Sequence, residues 1–415
     1  MKRSIALLTV TVAAAALFLV FASSMPVTFA QEGNRVIVPP SSIVHPEDLG
    51  VRAHTNYAIV VPERVEIGDN GAPIAENPLS LACIYHMVKQ TKGCPKTSKI
   101  PPTGGTKAIA LVDAYDNPDA AADLRAFAAA YGYGTPNLKI VEIGNPSPDP
   151  DWALESSLDI EYAFGMAPNA NIYLVEANTQ NLSDLLAAED KATELVQAAG
   201  GGEASNSWCY EDFQGENTND SHFKGKGIVY FASSGDTGSE VCYPSASPFV
   251  VSIGGTTINR DGNGNFTYES GWSDGGGGPS RYEPRPSYQN ITKKIVGSHR
   301  GTPDISGDAD YPNSPVAVHA EYACNNGYGD YCQNDWILVG GTSVSSPTIA
   351  GIVNAAGTFN ASSTAELTEV YKDYGNLTKY KADFTDITKG NNGHACVKGW
   401  DFCTGLGSPK TYKGK

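Results

Sequence analysis

A serine in a glycine-rich turn has the sequence setting of a nucleophile. Ser343 follows Gly340-Gly341-Thr342 and precedes the apolar segment 348–353, which we predict to be part of a buried helix. Glycines permit a close backbone turn, and the free N–H groups at a helix start can face a developing negative charge. The alternative is an ordinary helix N-cap rich in serine and threonine. The octapeptide 340–347 alone leaves both interpretations open.

Two carboxylic acids are spaced so that they would share one face of a helix. Glu155 and Asp159 are four residues apart in the segment 152–164, which has a helical pattern. Two carboxylates at this spacing repel each other when ionised, which raises one pKa and leaves a pair that can hold or pass a proton. The alternative is a solvated acidic face, although Leu154 and Leu158 make the helix partly apolar.

A third acid follows a predicted buried strand. Asp236 comes after the apolar run 228–232 and lies in a Ser-Gly-Asp turn. A carboxyl group at the buried end of a strand is expected to have a raised pKa and to keep its proton in mild acid. The alternative interpretation is a turn residue with a purely structural role.

The elements that must position these groups alternate between strand and helix. Such alternation is typical of an α/β protein with a mostly parallel central sheet covered by helices on both faces. Catalytic groups then gather at the carboxyl ends of the strands, where Asp113, Asp236 and Ser343 would all lie. The predicted strands are 108–112, 138–143, 172–176, 228–232 and 249–253, and the predicted helices are 119–131, 152–164 and 182–198.

Composition limits the function further. The 415 residues are 41% hydrophobic, which is ample for a large core, and the net charge of −16 argues against binding to nucleic acid or an anionic membrane. The 8 cysteines are predicted to be oxidised, and without a Cys-x-x-Cys pair no zinc site is expected. The predicted disulfides are the close neighbours Cys83–Cys94, Cys324–Cys332 and Cys396–Cys403, with Cys209–Cys242 as the remaining pair.

The N-terminal part has two predicted pieces. Residues 1–30 have the features of a cleavable secretory signal peptide, with Lys2 and Arg3 before an apolar run and small residues up to Ala30. The alternative is an uncleaved anchor helix. Residues 31–74 are polar, contain prolines and lack a clear period, so we interpret them as a short pro-segment or an extended N-terminal wrap.

The serine and acid motifs together resemble the sedolisin family of serine-carboxyl peptidases. Members of that family are secreted endopeptidases with a subtilisin-like fold that act in acid. The resemblance covers about residues 75–409, and it is specific because separated motifs occur in the family's order. It implies a peptidase domain over residues 75–415.

The resemblance also assigns roles. It makes Ser343 the nucleophile, Glu155 its general base, Asp159 the acid that orients and tunes Glu155, and Asp236 the oxyanion-hole acid. Glutamate suits acid conditions, because its pKa of about 4.3 leaves it able to accept a proton where a histidine of pKa about 6.5 is already protonated. None of the 7 histidines lies in the His-Gly-Thr context of ordinary subtilisins.

Weaker parts of the resemblance concern the surroundings of the site. It places Asp113 and Trp208 in an outer network around the acids. It makes the glycine-rich segment 275–280 part of the groove, where backbone would pair with an extended peptide.

The C-terminal block 383–409 resembles the family's calcium loop. The resemblance implies one structural calcium ion, held by carboxylates and carbonyls, which are the hard oxygen ligands that calcium prefers. The alternative is a metal-free loop. The implied ligands are Asp386, Ile387, Val397, Gly399 and Asp401.

The sequence therefore predicts a secreted, monomeric, acid-acting endopeptidase with protein or peptide substrates. The alternative is a catalytically silent secreted binding or cell-surface protein on the same scaffold. An esterase is disfavoured because the Gly-x-Ser-x-Gly elbow is missing. The family's usual pro-domain is a large folded unit, whereas only the segment 31–74 precedes the peptidase domain here, so zymogen control by a folded pro-domain is not expected.

Overall fold

This computed structural model describes residues 27–31 and 34–414. Its strands position the residues of the site. In chain order they are β1 (Val27–Gln31), β2 (Asn34–Val38), β3 (His54–Thr55), β4 (Ala58–Pro62), β5 (Ala108–Ala114), β6 (Leu138–Glu142), β7 (Asn171–Ala177), β8 (Gly202–Asn206), β9 (Trp208–Glu211), β10 (Ile228–Ser233), β11 (Cys242–Tyr243), β12 (Val251–Arg260), β13 (Phe266–Gly271), β14 (Gly278–Pro284), β15 (His299–Thr302), β16 (Ile305–Asp308), β17 (Val316–His319), β18 (Trp336–Gly340), β19 (Phe384–Thr385) and β20 (Ser408–Pro409).

Helices connect and cover these strands. In chain order they are α1 (Pro78–Ile84), α2 (Ala120–Ala130), α3 (Pro150–Met166), α4 (Leu182–Ala198), α5 (Lys293–Val296), α6 (Glu321–Ala323), α7 (Thr342–Ala355), α8 (Ser363–Tyr374) and α9 (Leu377–Asp383). The three helices predicted from the sequence correspond to α2, α3 and α4, each within two residues at either end.

The central sheet has eight strands and is mostly parallel, as predicted. Its order is β13-β12-β10-β8-β5-β7-β6, with β16 beside β12, and β13 is the antiparallel strand of the set. Alternate residues of β5 face opposite layers, as expected for a strand buried on both sides. Ile109 and Leu111 pack into the core that contains α3 and α7, whereas Ala110 and Val112 pack into the core that contains α4.

One predicted strand is longer than its apolar run. The sequence predicted residues 249–253, but β12 begins at Val251 and continues to Arg260. It continues because it has ladder partners on β10, β13 and β16 along its length. Gly255 is needed there, since a Cβ would stand 2.6 Å from the ring of Trp272. Tertiary pairing therefore overrides a local sequence that resembles a loop.

The N-terminal residues join a second, antiparallel sheet. Its order is β1-β2-β4-β18-β17, so β4 lies directly beside the strand that leads to Ser343. The segment 34–62, which shows no clear period, is thus ordered by long-range pairing. Most of the signal-peptide prediction, residues 1–26, lies outside the described residues.

Four disulfides close the fold, and all four predicted pairs are confirmed. They are Cys83–Cys94, Cys209–Cys242, Cys324–Cys332 and Cys396–Cys403. Among the described residues, none of the helices has both the length and the apolar composition needed to cross a membrane.

Candidate active site

The predicted nucleophile sits in the first turn of α7, directly after β18. Ser343 is completely buried, and its backbone N–H donates to the carbonyl of Asn56 at 3.1 Å. Gly341 precedes this turn with φ of 134°, in the region that favours glycine. A Cβ there would stand 2.0 Å from the Asn56 carbonyl oxygen and 2.4 Å from Asp236 Oδ2. Glycine is therefore required because three chain segments meet at this point.

Helix α3 presents the predicted acid pair to the interior. The helix begins cleanly because the Asp149 side chain accepts hydrogen bonds from the N–H groups of Asp151 and Trp152. From Trp152 to Met166 every residue is buried, so the helix crosses the protein instead of lying on its surface. Glu155 and Asp159 are both fully buried. The alternative of a solvated acidic face is therefore wrong.

Burial dominates the electrostatics of this pair. Desolvation raises the pKa of Glu155 well above its usual value, and the nearby charges of Asp159 and Asp113 raise it further. Burial and Asp113 likewise raise the pKa of Asp159. Burial alone raises the pKa of Asp113 to about 8. The structure thus brings three acids together in an environment that favours their protonated forms.

Two serine hydroxyls contact the acid pair. The Ser207 hydroxyl donates to Asp159 Oδ1 at 2.7 Å, which fixes the orientation of that carboxyl. The Ser343 hydroxyl lies beside Glu155 and lowers its pKa slightly against the effect of burial, while it donates to the Ser207 carbonyl at 3.3 Å. Both oxygens of Glu155 lack a well-aligned hydrogen-bond partner within the described chain. They are therefore available to take up a proton.

Asp236 holds the start of α7 from the end of β10. Its Oδ1 accepts hydrogen bonds from the backbone N–H and the hydroxyl of Thr342, both at 2.8 Å. Its Oδ2 is buried and has no partner among the described residues. Burial raises the pKa of Asp236 well above its usual value, and the Thr342 hydrogen bonds oppose this only in part. In its protonated form the carboxyl has a free O–H donor.

The outer contacts differ from the predicted ones. Trp208 donates from its indole nitrogen to the Val112 carbonyl at 3.0 Å and packs in the core, so it makes no hydrogen bond to the acids. Ser207, its neighbour, makes that contact instead. The sequence analysis did not identify Ser207 as a site residue. No sequence signal marked it, because the strand that precedes it, β8, has no apolar run.

The glycine-rich segment packs behind the Asp236 turn. The N–H of Gly276 donates to the Gly235 carbonyl at 2.7 Å, and a Cβ on Gly276 would stand 2.0 Å from the Ser234 carbonyl oxygen. Only glycine permits such an approach of two backbones. The segment therefore supports the loop that carries Asp236, and its pairing with a substrate stays a prediction.

The residues of the predicted calcium loop lie in one closed turn. Asp386 Oδ1 accepts from the N–H of Gly399 at 3.0 Å, which links the two ends of the loop. The Asp401 carboxyl accepts from three backbone N–H groups at 2.6–3.0 Å, one of them that of Val397. In the described chain, no donor reaches the carbonyls of Ile387, Val397 or Gly399. Two carboxylates and three carbonyls are hard oxygen ligands of the kind that calcium prefers, so these residues fit the ion in their chemistry.

Comparison with known proteins identifies the family to which this chain belongs. Residues 131–372 match the model of the subtilase family, Peptidase S8, so the chain belongs to that family. Kumamolisin from Bacillus sp. (strain MN-32) is 30% identical over 82% of this chain and 63% of its own length. Sedolisin from Pseudomonas sp. (strain 101) is 25% identical over 74% of this chain and 57% of its own length. The predicted membership of the sedolisin family is confirmed.

A solved structure agrees with this placement at the level of the fold. Pseudomonas sedolisin, a serine-carboxyl proteinase complexed with two molecules of pseudo-iodotyrostatin, superimposes with a TM-score of 0.65 and 22% identity. The match covers 81% of this chain and 95% of the sedolisin chain. The chain spans less than two thirds of the length of the curated relatives named above.

Proposed function

We propose that the chain is a secreted endopeptidase that hydrolyses peptide bonds in unfolded proteins or peptides in acid, acting as a monomer. The observation that carries the proposal is a convergence of groups around one point. The N–H of Ser343, the unpartnered Oδ2 of Asp236 and the carboxyl of Glu155 come from α7, the end of β10 and α3. These are the donors and the base that acyl transfer to a serine needs.

The proposed mechanism divides the work among four side chains. Ser343 Oγ attacks the substrate carbonyl carbon while Glu155 takes the hydroxyl proton. Asp159, oriented by Ser207, shares a proton with Glu155 and adjusts its basicity. The carbonyl oxygen gains negative charge, which the Ser343 N–H and the protonated Asp236 stabilise by hydrogen bonds. Glu155 then returns the proton to the leaving amine.

The raised pKa of Asp236 supports activity in acid. An ionised Asp236 cannot donate, and its raised pKa keeps it protonated until the pH rises well above the usual range of an aspartic acid. At low pH the Glu155 and Asp159 pair becomes fully protonated and loses its base. Activity should therefore follow a bell-shaped profile on the acid side of neutral.

We also propose one structural calcium ion in the C-terminal loop. Asp386 and Asp401 would supply carboxylates, and Ile387, Val397 and Gly399 would supply carbonyls. The ion would stabilise the loop that packs against the glycine-rich segment, where the Asn392 side chain donates to the Gly275 carbonyl at 2.7 Å. It has no part in the chemical step.

The activity is tested with a denatured protein substrate from about pH 3 to about pH 8. Wild-type protein should produce peptides in acid, and Ser343→Ala should not. Ser183→Ala, which removes an exposed hydroxyl at the start of α4, is the matched control and should keep full activity. Wild-type cleavage by Ser343→Ala would refute the nucleophile. Absence of cleavage by wild type at every pH would favour the silent binding protein.

A further inference from the structure

Three carboxylic acids that the proposed mechanism does not use meet at the carboxyl edge of the central sheet. Glu142 is the last residue of β6, Glu176 lies next to the end of β7, and Asp116 follows the end of β5 in the chain. Carboxylate oxygens of the three side chains all lie within 4.8 Å of one another. Like charges at such a separation repel each other, so the cluster needs an explanation.

The backbone gathers these acids by strand register and by a turn. Parallel pairing of β6 with β7 places Glu142 directly beside Glu176, so both side chains leave the same face of the sheet. The N–H of Asp116 donates to the Ser147 carbonyl at 3.1 Å, which ties the loop after β5 to the segment that follows β6. Tyr115, the residue before Asp116, has φ of 64°, which few non-glycine residues adopt. The third acid is thus held beside the other two.

The innermost of the three acids has an oxygen without a partner. Glu176 is completely buried. Its Oε1 accepts a hydrogen bond from the N–H of Asn117 at 2.9 Å. Its Oε2 is also buried and has no hydrogen-bond partner among the described residues. Because buried polar atoms are nearly always partnered, this oxygen indicates that a ligand belongs in the cluster.

Protein cations do not neutralise the cluster. Within residues 27–31 and 34–414, none of the three acids forms an ion pair with a lysine, arginine or histidine. Burial raises the pKa of Glu176 to about 8, and the charges of neighbouring acids, among them Asp116 and Glu142, add to this effect. In their ionised form the three carboxylates therefore require a counter-charge from outside the chain.

We propose that Asp116, Glu142 and Glu176 bind one divalent cation of the hard, oxygen-preferring class, with calcium as its representative. The cluster offers only oxygen atoms, whereas zinc sites in proteins are built mainly from cysteine and histidine. Calcium takes about 6–8 oxygen ligands and accepts irregular geometry. The three carboxylates supply about three to six of them, depending on whether each binds through one oxygen or two, and water supplies the rest from the side of the exposed Glu142.

This site is weaker than a closed calcium loop, and it acts on the helix that carries the acid pair. With three protein ligands, one of them exposed, a dissociation constant of about 10⁻⁴–10⁻³ M is expected, so the site fills only when the ion is added. The ion joins the ends of β6 and β7 to the loop after β5. From that loop the Asn117 side chain donates to the Ala153 carbonyl and to Ser157 Oγ, both at 2.9 Å. Binding therefore stabilises the N-terminal half of α3.

The test is a calcium titration of full-length Ser343→Ala by isothermal titration calorimetry, at about pH 6.5 and constant ionic strength. One binding event with a dissociation constant of about 10⁻⁴–10⁻³ M is expected. Glu142→Gln and Glu176→Gln, each added to Ser343→Ala, should weaken it at least tenfold. Glu63→Gln, at an exposed carboxyl outside the cluster, is the matched control and should leave it unchanged. Asp386→Ala, in the C-terminal loop, should also leave it unchanged.

The melting temperature gives a second measurement on the same samples. Calcium at about ten times its dissociation constant should raise the melting temperature of Ser343→Ala by about 2 °C, and Glu142→Gln should remove this rise. Because Glu142 is exposed, its variant decides the question even if Glu176→Gln fails to fold. Absence of the event, or an event that neither variant weakens, would overturn the site. An event removed only by Asp386→Ala would also overturn it and would assign the ion to the C-terminal loop.

Discussion

Raising the pH from 5 to 7 should destabilise this protein strongly, because several carboxyls are buried in their neutral form. Burial raises the pKa of Asp113 and Glu189 to about 8 and that of Glu269 to about 7. In an unfolded chain the same groups have pKa values of about 4. Between these values the folded state keeps protons that the unfolded state has lost, so the free energy of unfolding must fall as the pH rises.

The size of the effect follows from the number of protons. Each group contributes a slope of about 1.4 kcal/mol per pH unit, so the three together give at most about 4 kcal/mol per unit. A folded chain of this length has an unfolding entropy of about 0.8 kcal/mol/K, which converts that slope to about 5 °C per pH unit. Stability should be greatest near pH 4 and should be lost progressively towards pH 8.

The assay is the melting temperature of Ser343→Ala, which avoids self-digestion, measured from about pH 4.5 to about 7.5. Glu189→Gln removes one titrating proton at a fully buried position, so it should reduce the slope by about 1.4 kcal/mol per pH unit. Glu66→Gln, at an exposed carboxyl, is the control and should leave the slope unchanged. A melting temperature that stays level or rises between pH 5 and 7 would refute the reasoning.

Two further outcomes are expected. Asp236→Ala should lower kcat on a peptide by about 10²–10³, which is the usual effect of removing one oxyanion donor. Asp236→Asn should keep some activity and shift the alkaline limb of the pH profile. A normal kcat for Asp236→Ala would mean that this residue has only a structural role. A chelator should lower the melting temperature of wild type but not of Asp386→Ala, and no response together with no calcium in elemental analysis would rule the ion out.

The sequence predicts the helical acid pair well, and physical reasons explain why. The spacing of Glu155 and Asp159 is a local property, and helix α3 extends the predicted segment by only two residues at each end. Most central strands are equally local, because continuous apolar runs identify strands that are buried on both faces. The exception is β8, which has no apolar run and is ordered by its ladders with β5 and β10. What spacing alone could not decide was whether the acids face solvent or the interior. That depends on α7 and β5, which pack against α3 from distant parts of the chain.

The position of the N-terminal segment beside the active site could not be predicted for a similar reason. Its residues carry no apolar period, and the partner that orders Asn56 is Ser343, far away in sequence. Likewise, the contact between Ser207 and Asp159 could not be predicted, because it forms only when β8 places Ser207 beside Asp159. Long-range contacts of single polar groups leave no periodic signal in the residues that make them.

The N-terminal segment is paired with other strands on both sides of Asn56, and this determines how it competes with other peptides for the active site. Because β3 is fixed to β9 and β4 to β18, the intervening residues have an effective concentration at the nucleophile in the millimolar range or above. A peptide supplied at micromolar concentration cannot displace such an occupant. Strand β2, which precedes Asn56 in the chain, is itself paired with β4, so the N-terminal segment stays attached to the antiparallel sheet even where its residues leave the cleft.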